Sequence, residues 1–317
     1  MPSYVSNRAA VDWNLLDVAT PVNSTHTLAR GLLHWWLCAP GYLGGLVWRD
    51  LAPNGTRKSD GVVTNTTAQL FWNRSSATPV APHRGGYWSA KGDDAGYTTV
   101  AALTDWYSNG TTAWTFAAWW RRAVVSSDSV AIGQGGTSQT HAELLVWRDG
   151  LCYFLFPANA QGGNPDCYPY FTSNDTNWHS IVYVYDGTQT GNANRFRCWY
   201  DGQQQTLTFT GAGFDPIPAQ INFNPTGNFE ILRRVEVTTE TYDGYANDIA
   251  IWSRPLNESE VVLWYYSSLR SHPELLRRLR PYRQRSASAA VTTDPALLHY
   301  NAPPNQLRWW RPQPIPM

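Results

Sequence analysis

Tyr242–Val261 reads YDGYANDIAIWSRPLNESEV, and this stretch decides the fold. Tyr242-Asp243-Gly244 is a turn signal. Tyr245, Asn247, Ile249 and Ile251 then alternate with Ala246, Asp248, Ala250 and Trp252, a period of two that predicts a strand with two distinct faces. Arg254-Pro255-Leu256 ends it. Asn257 followed three residues on by Glu260 has the spacing of a capping box, so a helix is predicted to start at Glu258. A strand, a tight connection and a capped helix close the main domain.

The composition is that of a β-rich chain. Of 317 residues, 17 are Trp and 17 Tyr, whereas charged residues make up only 15 %. Aromatic side chains suit pleated surfaces and bury much area with few rotatable bonds. Lys plus Arg (24) balance Asp plus Glu (24), so no overall charge points to nucleic acid or to a membrane surface. Met1–Ala10 is polar and the apolar run Leu32–Leu37 is short, so neither a signal peptide nor a membrane span is expected. Seven Asn-x-Ser/Thr triplets, at Asn23, Asn54, Asn65, Asn73, Asn109, Asn174 and Asn257, read as a Ser/Thr/Asn-rich β surface. The cysteines Cys38, Cys152, Cys167 and Cys198 match no metal spacing. A Cys152–Cys167 bridge across a hairpin is conceivable, but scattered thiols are the preferred reading.

Outward from the closing strand, short strand-like runs recur: Gly31–Leu37, Val62–Thr64, Tyr87–Ala90, Tyr97–Val100, Trp114–Arg121, Glu143–Trp147, Leu151–Phe156, Trp178–Tyr185, Phe196–Tyr200 and Thr206–Thr210. Asp149-Gly150, Asp186-Gly187 and Asp201-Gly202 punctuate them as turns. Many short strands with almost no helix predict an all-β sandwich or jelly roll. Residues 1–30 read as an N-terminal arm, 31–268 as the sandwich, and 269–317 as an Arg/Pro-rich C-terminal arm with a short helix.

The order of the pieces resembles the laminin-G-like, concanavalin-A-like jelly roll of bacterial and phage proteins. Gly31-Leu-Leu-His-Trp-Trp is similar to its first strand. Asp50-Leu-Ala-Pro-Asn-Gly with Asp60-Gly61-Val62 is similar to its first loop, and Trp88–Thr99, with Asp93 and Asp94, to the segment after it. Trp114–Trp120, Trp178–Val182, Phe196–Gly202 and Asp243–Leu256 complete the series. The resemblance covers about Gly31 to Leu269, and it implies a calcium ion at the sandwich rim with Asp50, Asn54 and Asp248 as ligands. Against that stand Pro53 and the basic pair Arg57-Lys58 in the same loop. The alternative is that Asp50 and Asp248 satisfy backbone amides in turns.

Catalytic parts are missing from the pattern. Glucanases on this fold place acids along one strand, yet no Glu-x-Asp-x-Glu run occurs, and Glu236 and Glu240 suit a solvated strand face. There is no phosphate loop and no dinucleotide fingerprint. A non-enzymatic protein is expected.

Beyond the sandwich, Val261–Leu269 and Ser271–Leu279 read as short helices. Arg277, Arg278, Arg280 and Arg283 crowd around Pro281, and Arg308-Trp309-Trp310 lies in a Pro-rich end. Arginine and tryptophan are what interface hot spots use. Arms of this composition fray unless they dock, so these residues are expected to bind other protein subunits in a homo-oligomer or larger assembly. The resulting expectation is a virion structural or surface protein (a capsid decoration, head fibre or tail-associated subunit), located in the virion and lacking contact with nucleic acid. The alternative is a lectin-like adhesion module at a bacterial surface or outside the cell. It would hold cell-surface glycans with Trp72, Trp106 or Tyr107, with calcium as the one cofactor in view.

Overall fold

The computed structural model describes residues 22–37, 47–48, 50–52, 59–65, 71–72, 88–90, 96–122, 129–135, 142–148, 150–156, 167–210, 217–223, 225–231 and 244–269. The chain divides into two compact units, residues 1–278 and 279–317. All described residues belong to the first.

The first unit is a two-sheet β-sandwich, as the strand pattern predicts. Among the described residues one sheet has eight strands: β1 (Leu32–Trp36), β4 (Phe71–Trp72), β5 (Trp88–Ala90), β7 (Ala113–Arg122), β12 (His179–Asp186), β13 (Phe196–Tyr200), β14 (Gln203–Gln205) and β17 (Gly244–Trp252). Their order is β14-β13-β12-β7-β17-β5-β4, with β1 on the same edge of β17 as β5. The other has nine: β2 (Val47–Trp48), β3 (Gly61–Asn65), β6 (Gly96–Val100), β8 (Ser129–Gln134), β9 (Ala142–Arg148), β10 (Leu151–Leu155), β11 (Tyr168–Thr172), β15 (Thr208–Thr210) and β16 (Phe229–Ile231). They run β15-β11-β10-β9-β8-β16-β6-β3-β2. Pairing is antiparallel throughout the described ladders. The Asp201-Gly202 turn joins β13 to β14 with both residues at positive φ (51° and 75°), the conformation a two-residue hairpin needs.

Apolar residues form two cores. The larger lies between the sheets and includes Trp36, Trp114, Phe116, Trp120, Phe154, Phe156, Tyr183, Phe196 and Phe229. The second covers the outer face of the eight-stranded sheet. There Trp35, Ala117, Val182, Val184, Trp199, Ala250 and Trp252 pack beneath Val261 and Trp264 of helix α2 (Glu258–Ser268); the one-turn helix α1 (Asn192–Arg195) lies between β12 and β13 in the chain. Trp264 stands edge-on to Trp252, with centroids 4.9 Å apart. This second core explains why all eight residues of β12 are buried: Ile181 and Tyr183 face one core, Val182 and Val184 the other. A strand covered on both faces loses the usual apolar-polar alternation.

Two expectations change here. Residues 22–30 are no arm. Val22, Leu28 and Ala29 are buried in the second core, and the Trp252 indole N–H donates to Leu28 O. Arg254 donates to Thr27 O and Arg30 O while making a bidentate pair with Glu260 (2.7 and 2.8 Å). Glu260 in turn completes the predicted capping box with Asn257. Residues 1–21 lie outside the described residues.

The second change concerns the alternation that opened the reading of β17. Ala246 shares the inter-sheet core with Ile249 and Ile251, although strict alternation places it opposite them. The cause is a bulge. Pairing with β7 slips between Asn247 and Ala250, and Asp248 takes a left-handed conformation (φ 53°). One extra residue reverses the parity of everything before it.

Candidate functional site

Two histidines are held in the same way. His34, on β1, meets Asp50 through Nδ1 (2.7 Å) and Asp105 through Nε2 (3.0 Å). His179, at the start of β12, meets Asp201 through Nδ1 (2.7 Å) and Asp175 through Nε2 (2.7 Å). In each case the carboxylate on Nδ1 uses its other oxygen to accept the backbone N–H of the next residue, Trp35 (3.0 Å) or Ser180 (2.9 Å). Each ring also stacks on an aromatic, His34 on Trp36 (5.3 Å) and His179 on Tyr200 (4.4 Å). We call these units aspartate clips.

With carboxylates on both ring nitrogens, the imidazolium, which donates from both, is the favoured form. Burial alone would lower the pKa of His34, but the hydrogen bonds to Asp105 and Asp50 outweigh it and raise the pKa to about 9. His179 is raised for the same reasons, burial being outweighed by Asp201 and Asp175. The clips fasten strand ends, the carboxylate on each Nδ1 joining the ring nitrogen to the backbone amide that follows.

The first clip decides the calcium question at Asp50. Its Oδ1 accepts from Trp35 N and Ala52 N, and its Oδ2 contacts His34 Nδ1 and accepts from Ser59 N. Four donors on two oxygens leave no lone-pair direction for a cation, and an imidazolium already sits where one would bind. Asp248 is fully buried, with Oδ1 accepting the Trp35 indole N–H at 2.8 Å. Among the described residues no group of three or more His, Cys, Asp or Glu side chains is arranged to hold a metal ion. Asp50 and Asp248 therefore do not fit a calcium donor set; Asn54 lies outside the described residues. The turn-amide reading describes Asp50, and the bulge accounts for Asp248.

Trp106 and Tyr107 are core residues. They are 1 % and 0 % exposed, because the loop 101–112 turns Leu103, Trp106 and Tyr107 into the core between the sheets while Asp105, Asn109 and Thr112 stay exposed. Trp106 donates to Gln134 Oε1 (2.8 Å), which satisfies its indole, and Tyr107 packs on Trp114, Phe154 and Phe223. Trp72 belongs to β4, but its side chain lies outside the described residues. So do Glu236, Glu240, Arg277, Arg278, Arg280, Arg283, Arg308, Trp309 and Trp310. Cys152 and Cys167 are both fully buried. Cys152 stands opposite Phe171 and Cys167 opposite Phe156, a register that separates them.

The surface with binding chemistry is one the sequence reading did not single out. On β10 and β11, inward residues Cys152, Phe154 and Phe171 are buried. Outward residues Tyr153, Tyr168 and Tyr170 are half-buried. Tyr153 stands opposite Tyr170, and its ring lies edge-on to Tyr168 with centroids 5.7 Å apart. Exposed Thr172 and Thr208 continue the same face, Thr208 opposite Tyr170. Three phenol rings flanked by hydroxyls make an uncharged, amphipathic patch near one edge of the nine-stranded sheet.

The fold is shared with proteins of distant sequence. The binding domain of botulinum neurotoxin serotype G superposes with a TM-score of 0.53 at 12 % identity, covering 75 % of this chain and 51 % of that one. The binding domain of botulinum neurotoxin DC in complex with SialylT gives 0.52 at 12 % identity, over 76 % and 52 %. This chain thus spans about half the length of those domains. None of the curated proteins compared with it matches. The family model described as the concanavalin A-like lectin/glucanases superfamily matches residues 92–262. That span takes in β6 to the first turn of α2, more than half of the sequence, and the chain belongs to this superfamily.

Proposed function

We propose that this domain is a non-enzymatic carbohydrate-binding module and that a cell-surface glycan rests on the outer tyrosine face of the nine-stranded sheet. The carrying observation is the Tyr153–Tyr168–Tyr170 cluster, half-buried and flanked by threonines on one sheet face. A pyranose presents an apolar C–H face and a rim of hydroxyls, and phenol rings beside hydroxyl donors complement both. A neighbour of the same fold, the neurotoxin DC binding domain, is known in complex with SialylT, which supports the lectin-like reading. Anchoring to a virion rests on arms outside the described residues. It is compatible with glycan binding, because a virion surface protein can hold host glycans.

The test is a glycan array with the wild type and with Tyr153→Ala/Tyr170→Ala, run with and without added calcium. The wild type should give saccharide hits that calcium does not change, and losing two rings should weaken them by about tenfold. Both positions face outward, so thermal midpoints should stay nearly equal. No hits under either condition, or hits unchanged in the double variant, would overturn the reading.

A further inference from the structure

A second surface lies on the other sheet. Along β7, Ala117 and Trp119 face outward under α2, where the Trp119 indole donates to Ser268 Oγ and its ring stacks on Tyr265 (5.8 Å). The next outward residue, Arg121, lies beyond the end of the helix. It stands opposite Tyr245 of β17. Its guanidinium carbon sits 5.0 Å from the Tyr245 ring centroid, and its Nε donates to Thr176 O at 2.8 Å. Trp178 packs on the same tyrosine, at 6.0 Å. All three side chains are half-buried.

Arg121 is thus held in place from two sides. Neither terminal nitrogen of its guanidinium makes a hydrogen bond among the described residues. The neighbouring acid, Asp175, accepts from His179 Nε2 and Asn177 N through its Oδ1 and makes no ion pair with Arg121 among the described residues. What remains is an anchored planar fork of N–H donors beside an indole. A carboxylate matches the fork with two parallel hydrogen bonds. The indole matches the apolar face of a sugar ring.

We propose that Arg121, Tyr245 and Trp178 form a subsite for a carboxylate-bearing sugar, separate from the tyrosine face and on the opposite sheet. The subsite rests on the reading of this domain as a saccharide binder and adds an acidic-sugar specificity to it. Arg121 reads the carboxylate, Tyr245 orients Arg121 from below, and Trp178 supplies the stacking wall.

The experiment is calorimetry on the full chain with 3′-sialyllactose and lactose, for the wild type, Arg121→Gln, Arg121→Lys and Tyr153→Ala/Tyr170→Ala. Thermal midpoints serve as the folding control. The wild type should prefer sialyllactose to lactose by roughly tenfold or more, the worth of a charge-assisted pair. Arg121→Gln should abolish that preference without altering lactose binding. Arg121→Lys, which keeps the charge and loses the fork, should restore only part of it. Equal affinity of wild type and Arg121→Gln for sialyllactose would overturn the subsite. So would a wild type that binds lactose but not sialyllactose, while leaving the tyrosine face in place. An Arg121-dependent preference that survives in Tyr153→Ala/Tyr170→Ala with no lactose binding anywhere would uphold the subsite and sink the tyrosine face.

Discussion

The two aspartate clips share one wiring and differ in setting. At His34 the imidazole and the Asp50 side chain are each 1 % exposed, and only Asp105 reaches solvent, at 32 %. At His179 the imidazole is 10 % exposed, and its carboxylates, Asp201 and Asp175, are 34 % and 46 % exposed. Identical hydrogen bonds should therefore carry unequal weight. A charge removed from a dry site leaves its partner unsolvated, whereas water replaces much of what is lost at a wet one. The His34 clip also reaches further. Asp50 joins β1 to the loop at Ser59, and Trp35 joins the clip to the Asp248 bulge and to Trp264 of α2. The hydrogen bonds of the His179 side chain tie β12 to the β13–β14 turn and to the loop before β12.

The largest effect should come from Asp50→Ala. It removes the acceptor of His34 Nδ1–H, of Trp35 N, of Ala52 N and of Ser59 N at once, leaving the imidazolium with Asp105 alone. A loss of about 4 kcal/mol is expected in a urea titration, the range for breaking a buried charge pair. If Asp50→Ala cost no more than the same change at Asp201, burial would not be what separates the clips.

Next comes the pH dependence of the first clip. The folded pKa of His34, about 9, lies above the unfolded value near 6.5. Its stabilisation is therefore complete below about pH 6.5 and is lost as the pH rises towards 9. On the order of 3 kcal/mol should disappear across that window in the wild type. In His34→Gln the slope there should flatten, leaving what His179 contributes with the same sign. Urea midpoints between pH 6 and 9.5 would measure it. Parallel curves for wild type and variant would sink the account.

These contacts also show what a sequence can and cannot reveal. The capping box was legible because Asn257 and Glu260 lie three residues apart, and the Asp201-Gly202 turn because two adjacent residues specify it. The clips were not, since His34 finds its acids 16 and 71 positions away, and nothing local couples them. The bulge at Asp248 was hidden for another reason. Alternation looks unbroken in the letters, and only the left-handed backbone at one non-glycine residue reverses the parity. Strand β11 escaped because Pro169 interrupts it, and proline ordinarily counts against a strand. Here Pro169 is buried opposite Phe209 of the sheet-edge strand β15, and its flanking tyrosines supply the candidate binding face. Trp106 and Tyr107 misled because aromatics in an aperiodic loop look exposed, while burial of such large apolar area draws the loop inward.

The smallest effect, and the sharpest control on the comparison, should come from Asp201. Asp201→Ala removes the acceptor of His179 Nδ1–H and of Ser180 N, and it places alanine at φ 51°, a conformation that asparagine and aspartate tolerate better. A third of the carboxylate is exposed, so water solvates the freed donors and about 1 kcal/mol is expected. Asp201→Asn separates the two causes. Asparagine keeps the turn conformation and one oxygen, which accepts from Ser180 N or from His179 Nδ1–H but not from both, so it loses the charge and one hydrogen bond and should still cost less than alanine. It should also diminish the loss of stability at rising pH that the raised pKa of His179 contributes, because a neutral partner no longer favours the imidazolium. If the asparagine variant fell as far as the alanine one, charge rather than turn geometry would hold the second clip, and its exposure would have to count for less than the first clip's burial implies.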